Sequence, residues 1–79
     1  MKEKLTQVEV ALIIRNIKSG VIDMMREIVP NKDHVIKKLV RLGILIKIPQ
    51  ANHKFTIDRM RFNSIQNEGG QEELFHESQ

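Results

Sequence analysis

Hydrophobic residues recur at helical intervals in residues 31–42, which we call the basic helix because most of its other positions are Lys, Arg or His. Their spacing of three to four residues predicts a helix with one buried face. Pro30 ends the preceding segment, Asn31 is predicted to cap the helix through its side-chain oxygen, and Gly43 is predicted to end it in a left-handed conformation. The buried face comprises Val35, Ile36, Leu39, Val40 and Leu42.

Two further helices are predicted before Pro30. Thr6 and Glu9 match a capping box, in which the side chain of each residue bonds the backbone amide of the other. The helix that follows is predicted to run to about Lys18, and Ser19-Gly20 then favours a break before a second helix at 21–29. One long helix with a weak point at Gly20 is the alternative. The inward residues would be Val10, Ile13, Ile14 and Ile17 in the first helix, and Val21, Met24, Met25 and Ile28 in the second.

After Gly43 the hydrophobic period changes from about 3.6 to 2. Residues 44–48 alternate isoleucine with Leu45 and Lys47, which predicts a half-buried strand with its isoleucines on one face. A turn at 49–53 and a returning strand to Asp58 would complete a β-hairpin. Beyond Asp58 the alternation changes phase, so either a bulge or a short helix over 59–66, capped by Asp58, is expected.

The chain has 79 residues, which allows one small domain. We predict that this domain spans 1–66 and that 67–79 forms an acidic, disordered tail, since the tail has few apolar residues. Residues 1–61 contain all 13 Lys and Arg and 6 acids, a net charge of +7, whereas 62–79 contain 4 acids and no base. A basic body with an acidic end suits a protein that binds a polyanion.

Several classes of function are not expected. The chain has no cysteine, so it can form neither a disulfide nor a cysteine-based zinc site. His34, His53 and His76 are too far apart for a local metal motif, and no cofactor is expected. Phosphate-binding loops and nucleophile motifs are missing too, so an enzyme is not expected. With no signal peptide and no apolar run of membrane-spanning length, a cytoplasmic protein is expected.

The order of helix, helix, turn, basic helix and hairpin resembles a winged helix-turn-helix domain, and residues 21–58 are the segment that carries the resemblance. The fold class that this resemblance implies is mainly α with a small β-hairpin (α+β), with three helices followed by a two-stranded wing. Many members carry a short strand between their first two helices, but Ser19-Gly20 leaves little room for one. The resemblance implies that the basic helix enters the major groove of double-stranded DNA, while residues 50–54 contact the backbone or the minor groove.

A small regulator of transcription that binds double-stranded DNA, as a homodimer, is therefore the expected function. The alternative is a protein-protein interaction module on the same fold, an adaptor or inhibitor of a host or partner protein, because a fold does not fix its function. Phosphate or guanine contacts are expected from Lys37, Lys38 and Arg41, and contacts near the bases or backbone from Asn31, Lys32 and His34. The wing would contribute Lys47, Asn52 and Lys54.

Overall fold

The structure is a computed structural model that describes residues 3–67. Its elements are α1 (Gln7–Asn16), β1 (Val21–Asp23), α2 (Lys32–Arg41), β2 (Leu45–Lys47), β3 (Lys54–Ile57) and α3 (Arg59–Gln66). The class is α+β, as predicted, but the antiparallel sheet has three strands, in the order β1-β3-β2, rather than two. The third helix follows the hairpin instead of preceding it. Apart from Asn67, the predicted tail lies outside the described residues.

Helix α1 begins with the predicted capping box. Thr6 donates its backbone N–H to Glu9 Oε1 over 2.9 Å, and Thr6 Oγ1 accepts from the amide of Glu9 over 3.2 Å. The predicted buried face is wrong in part, because Leu12 is fully buried and Ile14 is 54% exposed. Two polar residues outside the predicted apolar stripe also turn inward, since Glu9 is buried and Asn16 is half-buried.

Strand β1 replaces the predicted second helix. Its residues pair antiparallel with β3, with Ile22 opposite Phe55, so the edge of β3 satisfies backbone groups that a helix would have paired internally. Gly20, with φ +76°, turns the chain straight into the strand, and the expected lack of room for a strand is wrong. Asp23 Oδ1 then accepts from the amide of Met25 over 3.1 Å and begins a turn.

Helix α2 has the predicted end but not the predicted cap. Gly43 follows the helix with φ +81°, which confirms the left-handed stop. Asn31 occupies the N-cap position, but its side chain makes no capping hydrogen bond. The reason is its backbone, which has φ 52° and ψ 51° instead of the extended conformation that aims a side chain at the first turn.

The hairpin forms as predicted, but in its first strand the side chains predicted to face the core and those predicted to face solvent are exchanged. Leu45 is buried and pairs with Ile57, whereas Ile46 is 54% exposed. The strand begins one residue late because Ile44 still belongs to the exit from α2. The amide of Ile44 donates to the Leu39 carbonyl, and its own carbonyl accepts from the amide of Asp58 over 2.8 Å. A shift of one residue exchanges the two faces of a strand.

Either a bulge or a short helix was expected after Asp58, and the chain forms the helix, α3. Asp58 Oδ1 accepts from the amide of Arg61 over 3.0 Å, and Phe62 and Ile65 are buried.

One hydrophobic core joins the helices to one face of the sheet. In the described part of the chain, no helix is long and apolar enough to cross a membrane. The most deeply buried side chains are those of Leu12, Ile13, Ile22, Met24, Leu39, Ile44 and Leu45.

The placement of β1 predicts unequal effects of two isoleucine truncations. Ile22→Ala should lower the free energy of unfolding by about 2–5 kcal/mol, because it removes fully buried methyl groups. Ile28→Ala is the matched control and should change it little, since Ile28 is 97% exposed. Urea unfolding followed by circular dichroism measures both. A costly Ile28→Ala with a harmless Ile22→Ala would support the helix that the sequence predicted.

Candidate functional site

A buried ion pair fixes one side of α2. Lys38 Nζ donates to Glu9 Oε1 over 2.9 Å and to the Lys4 carbonyl over 2.8 Å. Lys38 is 7% exposed and Glu9 3%. The expected exposure of Lys38 on the basic face is therefore wrong. Its ammonium is taken up by α1 and the N-terminal segment, because a buried charge needs a partner of opposite sign and further hydrogen bonds.

The carboxyl of Glu9 is held in its charged form. Burial acts to raise the pKa of Glu9, but hydrogen bonds from Lys38 and Thr6 together lower it more, so the pKa lies below its ordinary value of 4.5. The unfolded chain therefore binds more protons at this group. The resulting stabilisation is complete above about pH 4.5 and is lost as the pH falls through the lowered pKa.

A groove of about 720 Å³ lies between α2 and the sheet, at its hairpin end. We call it the helix–hairpin groove. Helix α2 forms one wall, and the turn after β1 and the hairpin form the other. Because Lys38 is held on the opposite side of the helix, its neighbour Lys37 is turned outward, about 100° around the axis. The lining residues are Met24, Met25, Lys32, Asp33, Ile36, Lys37, Val40, Arg41, Lys47, Asn52, His53 and Phe55.

The charges of the groove are mainly positive. Lys32, Lys37 and Arg41 come from α2 and Lys47 from β2, against the single carboxylate of Asp33. Within residues 3–67, the three lysines form no salt bridge. Cations from two separate elements therefore face one concave surface, which suits an extended polyanion better than a small monovalent ion.

Arg41 is the one groove cation with a carboxylate partner in the described chain. Its Nη2 lies 2.7 Å from both carboxylate oxygens of Glu3, and this contact holds the pKa of Glu3 below its ordinary value. Both side chains are about half exposed. Exposed ion pairs contribute little net stability, so a phosphate can compete with Glu3 for the guanidinium.

The other predicted site residues lie at different places. Asn52 lines the groove. Asn31 and His34 flank a shallower depression at the N-terminal end of α2, which shares Lys32 with the groove. Lys54 faces away from the groove, in a depression next to β1 that also contains Arg26. The structure thus brings together five of the nine predicted residues, namely Lys32, Lys37, Arg41, Lys47 and Asn52.

The groove also has an apolar part, which was not predicted from the sequence. Met25 is 69% exposed and Val40 is 42% exposed, although both were predicted to face the core. A signal for Val40 was present in the sequence, because Ile36 and Val40 make the apolar stripe of the basic helix wider than one packed face requires. Met25 gave no such signal, since its exposure follows from the turn that replaced the second helix.

Comparison with known proteins gives no relative from which a function could be carried over: no family model matches the chain, and neither a curated protein nor a solved structure is significantly similar to it.

The ion pair predicts that two neighbouring lysines differ sharply in their effect on stability. Lys38→Met should lower the free energy of unfolding by about 3–5 kcal/mol at pH 7, because it leaves the buried Glu9 carboxylate without its counter-charge. Lys37→Met, one position away on the exposed side, is the matched control and should be nearly neutral. Thermal and urea unfolding of both variants measure the difference.

The cost of Lys38→Met should also depend on pH. It should shrink as the pH falls, since a protonated Glu9 no longer needs a cation. The decrease should begin at higher pH than the titration of Glu9 in the unmodified protein, because without Lys38 burial raises the pKa of Glu9. Equal stability of the two variants at pH 7 would contradict the buried ion pair.

Proposed function

We propose that the chain is a winged-helix variant that binds double-stranded DNA through the helix–hairpin groove and regulates transcription. The observation that supports this most is the convergence of Lys32, Lys37 and Arg41 from α2 with Lys47 from the hairpin. Phosphate contacts supply most of the affinity of proteins for DNA. Four cations along one groove would give a salt-dependent, non-specific affinity on which base contacts could build specificity.

The element order supports the winged-helix part of the proposal. A short strand separates α1 and α2, as in many members of that family, and α2 leads through Gly43 into a hairpin. The chain departs from the family pattern at 24–31, where turns and irregular backbone stand in place of a scanning helix. This variant would therefore hold its recognition helix through the Glu9–Lys38 ion pair and the sheet.

In this proposal α2 lies in the major groove and the hairpin contacts the adjacent backbone. Lys37 lies on the exposed face of α2, and Asn52 and Lys47 lie on the opposite wall of the helix–hairpin groove. Asn31 and His34 would contact the flanking backbone from the N-terminal end of α2. Lys38 is not part of the proposed DNA interface, because its ammonium is buried against Glu9. A homodimer with two half-sites remains part of the proposal.

A protein-binding module is the second candidate, and the apolar groove residues favour it. Met25 and Val40 are exposed within the groove, and neither side chain has a partner on a phosphate backbone. A groove that mixes thioether and aliphatic groups with lysines would bind a polypeptide with both acidic and apolar side chains.

Removing two groove cations tests DNA binding directly. Lys37→Ala with Lys47→Ala should weaken binding to a random-sequence duplex. The slope of log affinity against log salt should shrink by about two units, roughly one for each lost phosphate contact. Both side chains are exposed, so folding should survive. Fluorescence anisotropy of a labelled duplex at several salt concentrations gives affinity and slope together.

The matched control removes two cations away from the groove. Lys18→Ala with Arg26→Ala makes the same change in net charge at exposed positions outside the groove. It should leave the salt slope almost unchanged. Equal losses from both double variants would mean that net charge alone drives binding, and an unchanged slope in the groove variant would refute this interface.

A further inference from the structure

The helix–hairpin groove suits a ligand that carries both negative charge and apolar side chains. Lys32, Lys37 and Lys47 line it without a salt bridge in the described residues, and Met25 and Val40 are exposed among them. A phosphate backbone would use the cations and leave the two apolar groups uncovered. A peptide with carboxylates beside large apolar side chains would use both parts of the surface.

The sequence after the last described residue has this composition. Residues 68–79 contain four acids and no Lys or Arg. Leu74 and Phe75 are the only large apolar residues in this stretch, and they directly follow Glu72 and Glu73. The segment 72–75, which we call the EELF segment, therefore complements the groove in both charge and hydrophobicity.

The length of the chain allows the EELF segment to reach the groove. Helix α3 begins next to the C-terminal end of α2, where Arg61 Nε donates to the Leu42 carbonyl over 2.7 Å. Its eight residues carry the chain only about 12 Å from there. The eight residues that follow Asn67, 68–75, can span about 26 Å when extended, which is enough to return to the Arg41 end of the groove.

We propose that the EELF segment docks into the helix–hairpin groove of its own molecule. Leu74 and Phe75 cover Met25 and Val40, and the carboxylates of Glu72 and Glu73 lie among the groove lysines. Because this occupant takes the surface that a duplex would use, the tail acts as an intramolecular competitor. That consequence for DNA rests on the proposed function, whereas the docking itself does not.

A single fluorophore tests the docking without DNA. The chain contains no Trp or Tyr, so Phe75→Trp in the full chain introduces the only indole. Its emission should lie at shorter wavelength than that of the control Gln79→Trp, and acrylamide should quench it less. Adding Lys37→Glu and Lys47→Glu should shift the emission to longer wavelength and raise quenching to the control level. The matched reversal, Lys18→Glu with Arg26→Glu, should leave both unchanged.

A second measurement avoids the tryptophan substitution. Comparing the unmodified chain with Leu74→Ala/Phe75→Ala by amide NMR, we expect shifts at Met25 and Val40 and none at Ile14, which is exposed on α1 outside the groove. Unmoved groove resonances, or indole emission equal to that of the Gln79 control, would overturn the docking. Emission that depends on protein concentration would overturn it too, because a second copy would then be the occupant. Failure to bind duplex DNA would leave this result untouched and refute only the proposed function.

Discussion

The ion pair between Glu9 and Lys38 anchors α2 together with the buried Val35 and Leu39 of the same helix. One carboxylate completes the capping box of α1 and also accepts from the ammonium of Lys38, which in turn donates to the Lys4 carbonyl. Three parts of the chain thus meet at one buried point. A buried ion pair adds little net free energy, but breaking it from one side is costly. The pair holds Lys38 on the side of α2 that faces α1, while Val35 and Leu39 are buried in the core. These contacts together hold the rotation of α2 about its axis, and the exposed side of α2 forms one wall of the groove.

The local signals in the sequence predicted much of the fold. The capping box at Thr6, the stop at Gly43 and the hairpin after it all depend on residues close together in the chain, and the structure contains all three. Strand β1 could not be predicted in this way. Val21, Met24, Met25 and Ile28 have helical spacing, but Val21 pairs with Thr56, 35 positions away. That non-local pairing overrides local propensity. The phase of β2 was missed because the exit from α2 uses one more residue than expected.

The site was predictable in its charges but not in its shape. Lys37 and Lys38 are adjacent and look equivalent in the sequence, yet Lys37 lines the groove and Lys38 is buried. The partner of Lys38 is Glu9, which lies 29 positions away in the sequence. No local pattern distinguishes them, since burial of a lysine depends on where a distant carboxylate lies. The apolar residues of the groove were missed for the opposite reason. Met25 and Val40 follow helical patterns that normally indicate a core. The turn after Asp23 leaves Met25 at the surface, and Val40 lies at the edge of an apolar stripe that is wider than one packed face requires.

In the proposed function, duplex DNA binds the chain at the helix–hairpin groove. A titration of the isotope-labelled protein with a random-sequence duplex, followed by amide NMR at low salt, tests it most directly. We expect shifts at Lys32, Lys37, Lys47 and Asn52, which line the groove, and none at Val8 or Ile14 on the outer face of α1. Shifts confined to α1, or a spectrum that the duplex does not change, would contradict it.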